Sequence, residues 1–465
     1  QGMTIVASAN ALLDGLMQAR FHSEPMVQAT ELLLEERMPR EVVVSQPWVA
    51  RRASAARVDE VETHGARRIA SPHTPTPAVH VLSNGSYSVM LTAAGSGYSR
   101  WHDLAVTRWR EDATCDSTGS YIFLRDIRSG AVWSAGHQPT GVEADDYEAT
   151  FGEDRCEFVR RDGSLTTTME VLVSAEDDGE VRRVSISNTG FTAREIEVTS
   201  YAEIVLAPQA GDVAHPAFSK LFVETEHLAS VGALVANRRR RSRTEPEAWA
   251  AHLAVVEGES VGKPEFETDR AQILGRGRDV RAPFRVMARR PLSGATGTVL
   301  DPVFALRRRM RVPPGGTVRI SFWTLAAPSR KALLDLIDKH HDAAAFDRAA
   351  NLAWTQALVQ LHHLGVDRGE AALFQRLAGH LIFAAPELRP SSEVLELGCG
   401  GQPGLWRVGI SGDLPIVILR ISDTQDIGVA RQLIKASEYW RTKQLAFDLV
   451  LLNERASSYV QDLQI

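Results

Sequence analysis

The stretch LTTTMEVLVSAEDDGEVRRVSISNTGFTAREIEVTS, from Leu165 to Ser200, decides the fold class of this chain. Apolar and polar residues alternate from Leu165 to Val173, and a period of two is typical of a half-buried β-strand. The pair Asp162–Gly163 precedes this run and favours a tight hairpin turn. Alternation resumes on both sides of a second turn at Asn188–Gly190. The stretch therefore predicts antiparallel strands joined by short connections.

The same pattern extends over residues 79–327. Near its end, Pro313 to Gly316 interrupt the chain before Val318, Ile320 and Phe322 alternate again. A long series of short alternating strands predicts a large two-sheet β-supersandwich. The expected fold class is mainly β with α segments, in which a helical linker and a short α/β segment follow the sandwich.

Helical periodicity appears on both sides of the strands. Met3 to Met17 carries apolar residues at helical spacing, and a second helix is predicted from Ser23 to about Pro39. After the strands, an apolar stripe runs from Phe346 to Leu364, and another helix is predicted from Glu370 to about Ala385. Residues 43–78 are rich in charge and alanine and then in proline and threonine, which is a linker composition.

Composition excludes some classes of function. The chain of 465 residues carries a net charge of −6, which gives no general attraction to nucleic acid or to an anionic membrane. Arginine runs at 238–241 and 307–309 lack interleaved aromatic residues, so they are interpreted as loop and strand-end charges. Cys115, Cys156 and Cys399 are odd in number and widely spaced, so we expect no disulfide framework, no metal site and no cofactor. Reduced thiols and the lack of an apolar run of transmembrane length favour a cytoplasmic location.

Aromatic and charged residues are concentrated between Gly95 and Thr140. Trp101 and Trp109 lie there among arginines and aspartates, a mixture that suits the apolar face and the hydroxyls of a sugar ring. An ordinary β-sheet with aromatic cross-strand pairs and solvated charges accounts for the same composition. On composition alone, the ordinary β-sheet is the favoured interpretation.

This run also carries a family resemblance. Its segments GSGYSRW, AVTRWREDATCD, YIFLRDIRSGAVWS and HQPT occur in that order, and they resemble the β-sandwich module of cyclic β-1,2-glucan synthases. That module is related to the N-terminal domain of cellobiose-type glycoside phosphorylases. The resemblance implies a chain that is an internal fragment of a larger protein, an expectation with which a start at Gln1 agrees.

The resemblance also implies a division of the chain. Residues 1–42 would be the last helices of a glucoamylase-like (α/α)6 domain, 43–78 a linker and 79–327 the carbohydrate-related supersandwich. Residues 328–388 would be the helical linker, and 389–465 the start of the following module. In that last region LWRVGISGDLPIVILRI, from Leu405 to Ile421, resembles the segment that follows the linker in cyclic glucan synthases, although Cys399 and Pro403 depart from the family pattern.

Four residues are candidates for binding substrate: Trp101, Trp109, Arg407 and Asp413. Arg407 and Asp413 flank a Gly-Ile-Ser-Gly turn, and they offer a planar donor and an acceptor for saccharide hydroxyls or phosphate. The alternative is that Asp413 stabilises the turn and Arg407 pairs with it. No catalytic residue is predicted.

One motif suggests different chemistry. VLELGCGGQPG, from Val394 to Gly404, resembles the first motif of S-adenosylmethionine-dependent methyltransferases, with Asp423 as the ribose-binding acid. Pro403 stands where the following helix would run, and too few residues separate the glycines from the next apolar run for a crossover helix. We therefore rank this interpretation below the carbohydrate one.

The remaining candidates are weaker. The acid pairs Asp145/Asp146 and Glu203/Asp212 are interpreted as solvated residues, and the pairs His340–His341 and His362–His363 as surface or interface histidines. By the family layout, the general acid and the phosphate ligands lie in a barrel C-terminal to this chain.

The resemblance therefore implies glycosyl transfer and phosphorolysis of β-glucans in the whole protein. This fragment would serve as a carbohydrate-facing sandwich and scaffold and would be catalytically inactive alone. Alternatively, it is a non-catalytic carbohydrate-binding or structural sandwich. Expected partners are β-1,2-glucan or a related oligosaccharide, the other domains of the parent protein and a second copy in a homodimer. The parent would be anchored in the bacterial inner membrane through other segments.

Overall fold

The computed structural model describes residues 2–24, 27, 66–243, 245–383, 388–398, 400–423 and 426–454. Twenty strands and twelve helices lie in these ranges. The strands are β1 (Arg67–Ile69), β2 (Val79–Ser83), β3 (Tyr87–Thr92), β4 (Gly97–Trp101), β5 (Leu104–Thr107), β6 (Ser120–Asp126), β7 (Val132–Ser134), β8 (Asp146–Phe151), β9 (Cys156–Asp162), β10 (Leu165–Val173), β11 (Gly179–Asn188), β12 (Arg194–Ala207), β13 (Val223–Leu228), β14 (Ala233–Arg238), β15 (Ala248–Glu257), β16 (Ser260–Asp269), β17 (Pro302–Val312), β18 (Thr317–Ala327), β19 (Ile416–Ile421) and β20 (Asp448–Asn453).

The helices are short in the sandwich and longer after it. They are α1 (Gly2–Leu12), α2 (Leu16–His22), α3 (Gln209–Ala214), α4 (Pro216–Lys220), α5 (Arg270–Leu274), α6 (Phe284–Met287), α7 (Arg330–His340), α8 (Ala345–Leu364), α9 (Arg368–Ile382), α10 (Ser392–Glu396), α11 (Pro403–Trp406) and α12 (Asp426–Thr442).

Eighteen of the strands form two large antiparallel sheets. The first sheet has nine strands in the order β1-β8-β9-β10-β11-β18-β15-β14-β13. The second has the order β16-β17-β12-β5-β4-β3-β2, with β6 paired to β12 and β7 paired to β6. The long strand β12 binds β17 along one edge, and β6 and then β5 along the other. The predicted two-sheet supersandwich is confirmed.

Most of the stretch from Leu165 to Ser200 forms β10 and β11 in the middle of the first sheet, and its last residues begin β12 of the second. β10 pairs with β11 in continuous register from Leu165 opposite Asn188 to Val173 opposite Glu180. Leu165, Thr167 and Met169 are buried while the residues between them are half-exposed. The period of two therefore marks which side chains enter the core.

The main core lies between the two sheets. Its buried apolar residues come from both, among them Phe158 and Phe322 from the first sheet and Phe304 and Leu124 from the second. Aromatic side chains bury large areas, so these rings contribute much of the apolar surface that holds the sheets together.

Helices α7 and α8 cover the outer face of the first sheet. Leu333, Ile337 and Phe346 from these helices are buried against Trp323 and Leu325 of β18. Helix α7 begins after Ser329, whose hydroxyl accepts a hydrogen bond from the Ala332 backbone N–H, as an N-cap serine does. This linker therefore packs on the sandwich rather than extending away from it.

The C-terminal region has a smaller core. Phe374 of α9 packs with Tyr439 and Trp440 of α12, and β19 and β20 pair in parallel on either side of that helix in the chain. This is the predicted short α/β segment. Parallel pairing requires such a crossover, which α12 provides.

One detail differs from the expectation, and another is not tested. The predicted helix over Met3–Met17 is divided into α1 and α2, because Asp14 and Gly15 adopt positive φ angles of 46° and 75°. The helix predicted from Ser23 to Pro39 lies outside the described residues. In the part of the chain that is described, no helix is long and apolar enough to cross a membrane.

Candidate functional site

The characteristic run between Gly95 and Thr140 forms one wall of a polar cavity. The cavity has a volume of about 190 Å³. One part of the lining is the loop that follows β5. Arg281, in the segment between α5 and α6, is another part, and the segment before β2 closes the cavity. Its polar lining side chains are His73, Thr74, Thr92, Asp112, Thr114, Cys115, Asp116, Gln138 and Arg281.

Local hydrogen bonds give this loop its shape. Asp112 Oδ1 accepts from the Thr114 backbone N–H at 2.8 Å and from its hydroxyl at 2.6 Å, which is the pattern of an Asx turn. The Tyr121 hydroxyl, which is buried at the start of β6, donates to the backbone carbonyl of Asp116 at 2.8 Å. The loop is therefore fixed to the sheet at the point where its carboxylates reach the cavity.

The charged groups of the cavity have different environments. Burial raises the pKa of Asp116, and the negative Asp112 adds to this, while a hydrogen bond from Ser96 opposes it. Hydrogen bonds from Thr114 lower the pKa of Asp112. Arg281 Nη2 lies 3.2 Å from Cys115 Sγ. The cavity thus offers carboxylate acceptors and guanidinium donors within one small volume, as recognition of hydroxyl groups requires.

A group of possible metal ligands lies at its edge. Ligand atoms of His73, His137 and Glu143 all lie within 4.8 Å of one another. His73 and Glu143 are exposed, and His73 Nε2 already lies 2.9 Å from Glu143 Oε1. A surface ion pair accounts for this arrangement, and we assign no metal to it.

The two predicted tryptophans have structural partners. Trp101 is only 6% exposed, and its indole N–H donates to Asp178 Oδ2 at 2.7 Å. Trp109 is half-buried, and its ring lies edge-on to Tyr98 at 5.3 Å and to Phe383 at 5.7 Å. Trp101 therefore has no free face on which a sugar can stack, whereas Trp109 keeps a partly open one. The side chain of Trp101 is packed as in an ordinary β-sheet, which was the alternative interpretation.

The other two predicted residues lie apart from the sandwich, in the loop between α11 and β19. Arg407 and Asp413 are exposed. Asp413 accepts a hydrogen bond from Gln402 Nε2 at 2.8 Å, and the same amide nitrogen donates to the Ser411 carbonyl at 2.9 Å. The backbone N–H of Asp413 binds Ser411 Oγ at 3.1 Å. Asp413 thus stabilises the turn, as its alternative interpretation states, and its partner is Gln402.

The acid pair Glu203/Asp212 is not solvated, which corrects the expectation. Both side chains are buried and bind Arg108, with Glu203 Oε2 at 2.6 Å from Nη1 and Asp212 Oδ2 at 2.9 Å from Nε. Arg270 Nε binds the other Glu203 oxygen at 2.6 Å. Burial acts to raise the pKa of Glu203, but the two guanidinium groups outweigh it and lower that pKa. A carboxylate held in this way is an ion-pair partner and a poor proton donor.

Two further interpretations are corrected. Arg307 is not a strand-end charge, because it lies inside β17, where it is buried and pairs with Glu197 at 3.4 Å. The methyltransferase-like motif lacks its strand, because Ser392–Glu396 is a short helix in which Val394 and Leu395 are exposed. A glycine turn that holds S-adenosylmethionine has to follow a buried strand.

His340 lies where helix α7 contacts the first sheet, as an interface histidine. Its Nε2 lies 2.8 Å from Asp177 Oδ2, and its ring lies against Trp323. His341, His362 and His363 are exposed.

Three polar residues of the cavity were not among the predicted site residues: Asp116, Gln138 and Arg281. Asp116 stands in the quoted segment AVTRWREDATCD and Gln138 in HQPT, so the resemblance pointed to their surroundings. Arg281 carries no local signal, because only the fold brings it to a loop 165 residues earlier in the chain.

The chain is similar to several known proteins. The model of the glycosyl hydrolase 94 supersandwich domain matches residues 64–343. The cyclic beta-(1,2)-glucan synthase NdvB of Rhizobium meliloti (strain 1021) is 41% identical over 463 residues, which is 100% of this chain and 16% of that protein. An N,N'-diacetylchitobiose phosphorylase of Vibrio furnissii is 29% identical over 34% of this chain and 20% of its own length. The chain thus spans a fifth or less of the length of these relatives.

Solved structures give weaker matches. A bacterial glucoamylase complexed with acarbose aligns over 68% of this chain and 44% of its own, with 9% identity and a TM-score of 0.40. A likeness at this level supports no argument about function. The family model covers more than half of the chain, and its range includes both large sheets. The chain belongs to the glycosyl hydrolase 94 supersandwich domain family.

Proposed function

We propose that this chain is the carbohydrate-facing sandwich and scaffold of a larger protein that transfers or phosphorolyses glucosyl units of β-glucans. The 41% identity with a cyclic β-1,2-glucan synthase along nearly the entire chain carries the proposal. Relatives named as phosphorylases of disaccharides support the same class of substrate. The chain alone is expected to bind saccharide without turning it over.

The polar cavity is the part of the sandwich that best fits this role. Asp112, Asp116 and Arg281 place two acceptors and one donor group around a volume of about 190 Å³. Trp109, Arg407 and Asp413 remain proposed contacts, while Trp101 is proposed only to position β4. The unpaired thiols of Cys115 and Cys156 are consistent with a reducing, cytoplasmic setting, which we also propose.

Isothermal titration with linear β-1,2-gluco-oligosaccharides, with cello-oligosaccharides as the comparison ligand, tests the proposal. Selective binding is expected, and Arg281→Gln should weaken it about tenfold, because a guanidinium that binds a ligand oxygen contributes ~1.5 kcal/mol or more. Arg276→Gln is the matched control, since Arg276 is exposed in the same segment and does not line the cavity.

A purely structural role is the second candidate. The burial of Trp101, Tyr98, Tyr121 and Trp133 favours it, because these aromatic side chains serve the core. Flat titrations with both series of oligosaccharides would support this scaffold role and would contradict the binding proposal.

A further inference from the structure

A second cavity lies between the sandwich and helix α8. It has a volume of about 310 Å³, which is within the range of small-ligand sites. One wall is the apolar side of α8, and the other is the turn from β8 to β9. It shares no lining residue with the polar cavity described above.

The helical wall presents an aromatic ring to solvent. Trp354 is 52% exposed, although Ala350 and Ala353 of the same helix are buried in the sandwich contact. Leu358 and Leu361 follow at helical spacing and continue the wall. An indole held on a rigid helix beside a cavity offers a flat apolar surface at little conformational cost.

The opposite wall is polar, and most of its charges are already satisfied. Glu153 accepts hydrogen bonds from the Tyr439 hydroxyl at 2.9 and 2.7 Å and pairs with Lys443 at 3.2 Å. Arg155 is bound by Asp154 at 2.8 Å and by Glu170 at 3.3 Å. Glu153, Asp154 and Arg155 define this wall, and their existing ion pairs leave little capacity for a charged ligand.

Two charged side chains at the cavity have no such partner among the described residues: Glu157 and Arg368. Burial raises the pKa of Glu157, and the nearby carboxylates of Glu170 and Glu148 add to this. Arg368 is exposed at the start of α9. The cavity therefore offers one available acceptor and one available donor of opposite charge, beside one aromatic face.

We propose that this cavity is a second saccharide subsite, in which Trp354 stacks on the apolar face of a neutral sugar residue and Glu157 and Arg368 bind its hydroxyls. A phosphate or another anion is disfavoured, because Arg155 is already bound by Asp154 and Glu170, and the carboxylate of Glu157 offsets the charge of Arg368. A simple metal cation is disfavoured as well, because the carboxylates of Glu153 and Asp154 are already paired with Lys443 and Arg155. An uncharged polyhydroxylated ring matches all three features.

The subsite itself is inferred from this cavity, whereas the choice of β-1,2-glucan as the probe rests on the proposed function. A glucan chain has many equivalent residues, so two separate subsites on one module would raise its apparent affinity through multivalency. The second subsite would hold a polymer that also reaches the polar cavity or another domain.

The test is a titration of the complete chain with linear β-1,2-, β-1,3- and β-1,4-linked gluco-oligosaccharides. The variants are Trp354→Ala, Trp354→Phe and Arg368→Gln in the second cavity, and Arg281→Gln in the polar cavity. Leu352→Ala is the matched control, since Leu352 is exposed on the same helix and does not line the cavity. Thermal unfolding of each variant checks its fold.

We expect Trp354→Ala to weaken binding of at least one series about tenfold, which corresponds to ~1.4 kcal/mol. Trp354→Phe should keep most of the affinity, and Leu352→Ala should bind as the parent chain does. Binding of only the β-1,3- or β-1,4-series, lost in Trp354→Ala, would support the subsite and contradict the proposed glucan.

Binding that is lost in Arg281→Gln but kept in Trp354→Ala and Arg368→Gln would overturn the subsite and leave the proposed function standing. No binding of any series to the parent chain at millimolar concentration would also overturn the subsite. Loss of binding in the Leu352→Ala control would assign the effect to the helix rather than to the cavity, and would count against the subsite as well.

Discussion

At the scale of single residues, Arg108 is a buried charge held by several carboxylates of the sandwich. It is buried between Glu203 and Asp212, and Asp301 Oδ1 lies 3.6 Å from its Nη1. Burial lowers the pKa of its guanidinium, but the bound carboxylates outweigh this and raise it overall. Such a group is stable only as part of the complete network, because each carboxylate needs its positive partner.

Replacement of Arg108 by methionine should therefore destabilise the chain strongly. The change keeps the length of the side chain but leaves two buried carboxylates without Arg108, for an expected loss of about 3–5 kcal/mol in the free energy of unfolding. Urea denaturation at pH 7 measures it. Arg110→Met is the control, since Arg110 is exposed two residues away, and a loss of similar size in both variants would contradict the argument.

His252 connects the two sheets from inside the core. Its ring is stacked between Phe304 and Phe322, with centroids at 5.8 Å from each. Nε2 lies 2.8 Å from the Ser200 hydroxyl of the second sheet, and Nδ1 lies 3.1 Å from the Thr324 hydroxyl of the first. Burial lowers the pKa of His252 from 6.5 to about 3, and the positive Arg182 acts in the same direction.

A pH dependence follows from this shift. The pKa of His252 is lower in the folded chain than in the unfolded chain. The neutral ring therefore contributes its full stabilisation above pH 6.5, and this contribution is lost as the pH falls towards 3. Within that window the slope approaches ~1.4 kcal/mol per pH unit for one proton. Denaturation series from pH 7 to pH 4 should show a smaller slope in His252→Gln than in the parent chain. The exposed His102→Gln variant should keep the parent slope, and equal slopes in all three chains would refute this role of His252.

At the scale of elements, a helix protects the edge of the second sheet. β2 is the last strand of that sheet, so its outer backbone groups lack a neighbouring strand. Gln375 of α9 takes the place of one: its Oε1 accepts from the Val81 N–H at 3.0 Å, and its Nε2 donates to the Val81 carbonyl at 2.9 Å. The same Nε2 donates to the Tyr439 hydroxyl of α12 at 2.8 Å. One amide thus joins a sheet edge to two helices.

Gln375→Ala should destabilise the edge of the second sheet at β2. Two buried backbone groups of Val81 lose their partners, and each such group costs about 1–3 kcal/mol. We expect a lower free energy of unfolding and faster hydrogen exchange at Val81, measured by urea denaturation and by exchange mass spectrometry. Gln356→Ala is the control, since Gln356 makes one long bond of 3.4 Å to the Asn84 carbonyl. Unchanged exchange in β2 would contradict the protective role.

The sequence predicted secondary-structure elements better than it predicted contacts between side chains. The alternation from Leu165 to Val173 predicts β10 because one face of that strand is buried and the other is not. The run of arginines predicts a strand-end charge at Arg307, but β17 is buried on both faces at this position. The charge of Arg307 is therefore stabilised by Glu197 and Glu265 from neighbouring strands rather than by water. A local pattern contains no information about such partners.

The candidate site was predictable only in part, for the same reason. The resemblance located the loop that carries Asp112 and Asp116, but Arg281 joins it only through the fold. Trp101 has the composition of a sugar-binding residue, and its burial follows from packing between β4 and the turn before β11. Trp354 is absent from the predicted apolar stripe of its helix, and only the structure shows that its ring is exposed beside a cavity.

At the scale of the whole molecule, the sandwich and the C-terminal helices form a connected structure. Tyr439 of α12 donates from its hydroxyl to Glu153 in the β8–β9 turn, and Lys443 pairs with the same carboxylate. The smaller core around Phe374 and Trp440 is thereby attached to the first sheet as well as to the edge of the second. A module attached at both sheets is suited to hold neighbouring domains at a fixed distance, as the proposed scaffold role requires.

The last prediction concerns catalysis by the isolated chain. Phosphorolysis needs a protonated carboxylic acid next to the leaving oxygen and phosphate on the opposite face of the sugar. Glu203 does not qualify, because Arg270 and Arg108 lower its pKa despite its burial, so that it stays ionised at neutral pH. The pKa of Asp116 is raised, but Asp112 lies beside it and repels phosphate. With β-1,2-glucan and inorganic phosphate, an enzyme-coupled assay for glucose 1-phosphate should therefore show no release above the protein-free blank. Release that scales with chain concentration and disappears in Asp116→Asn would show instead that the polar cavity is an active site.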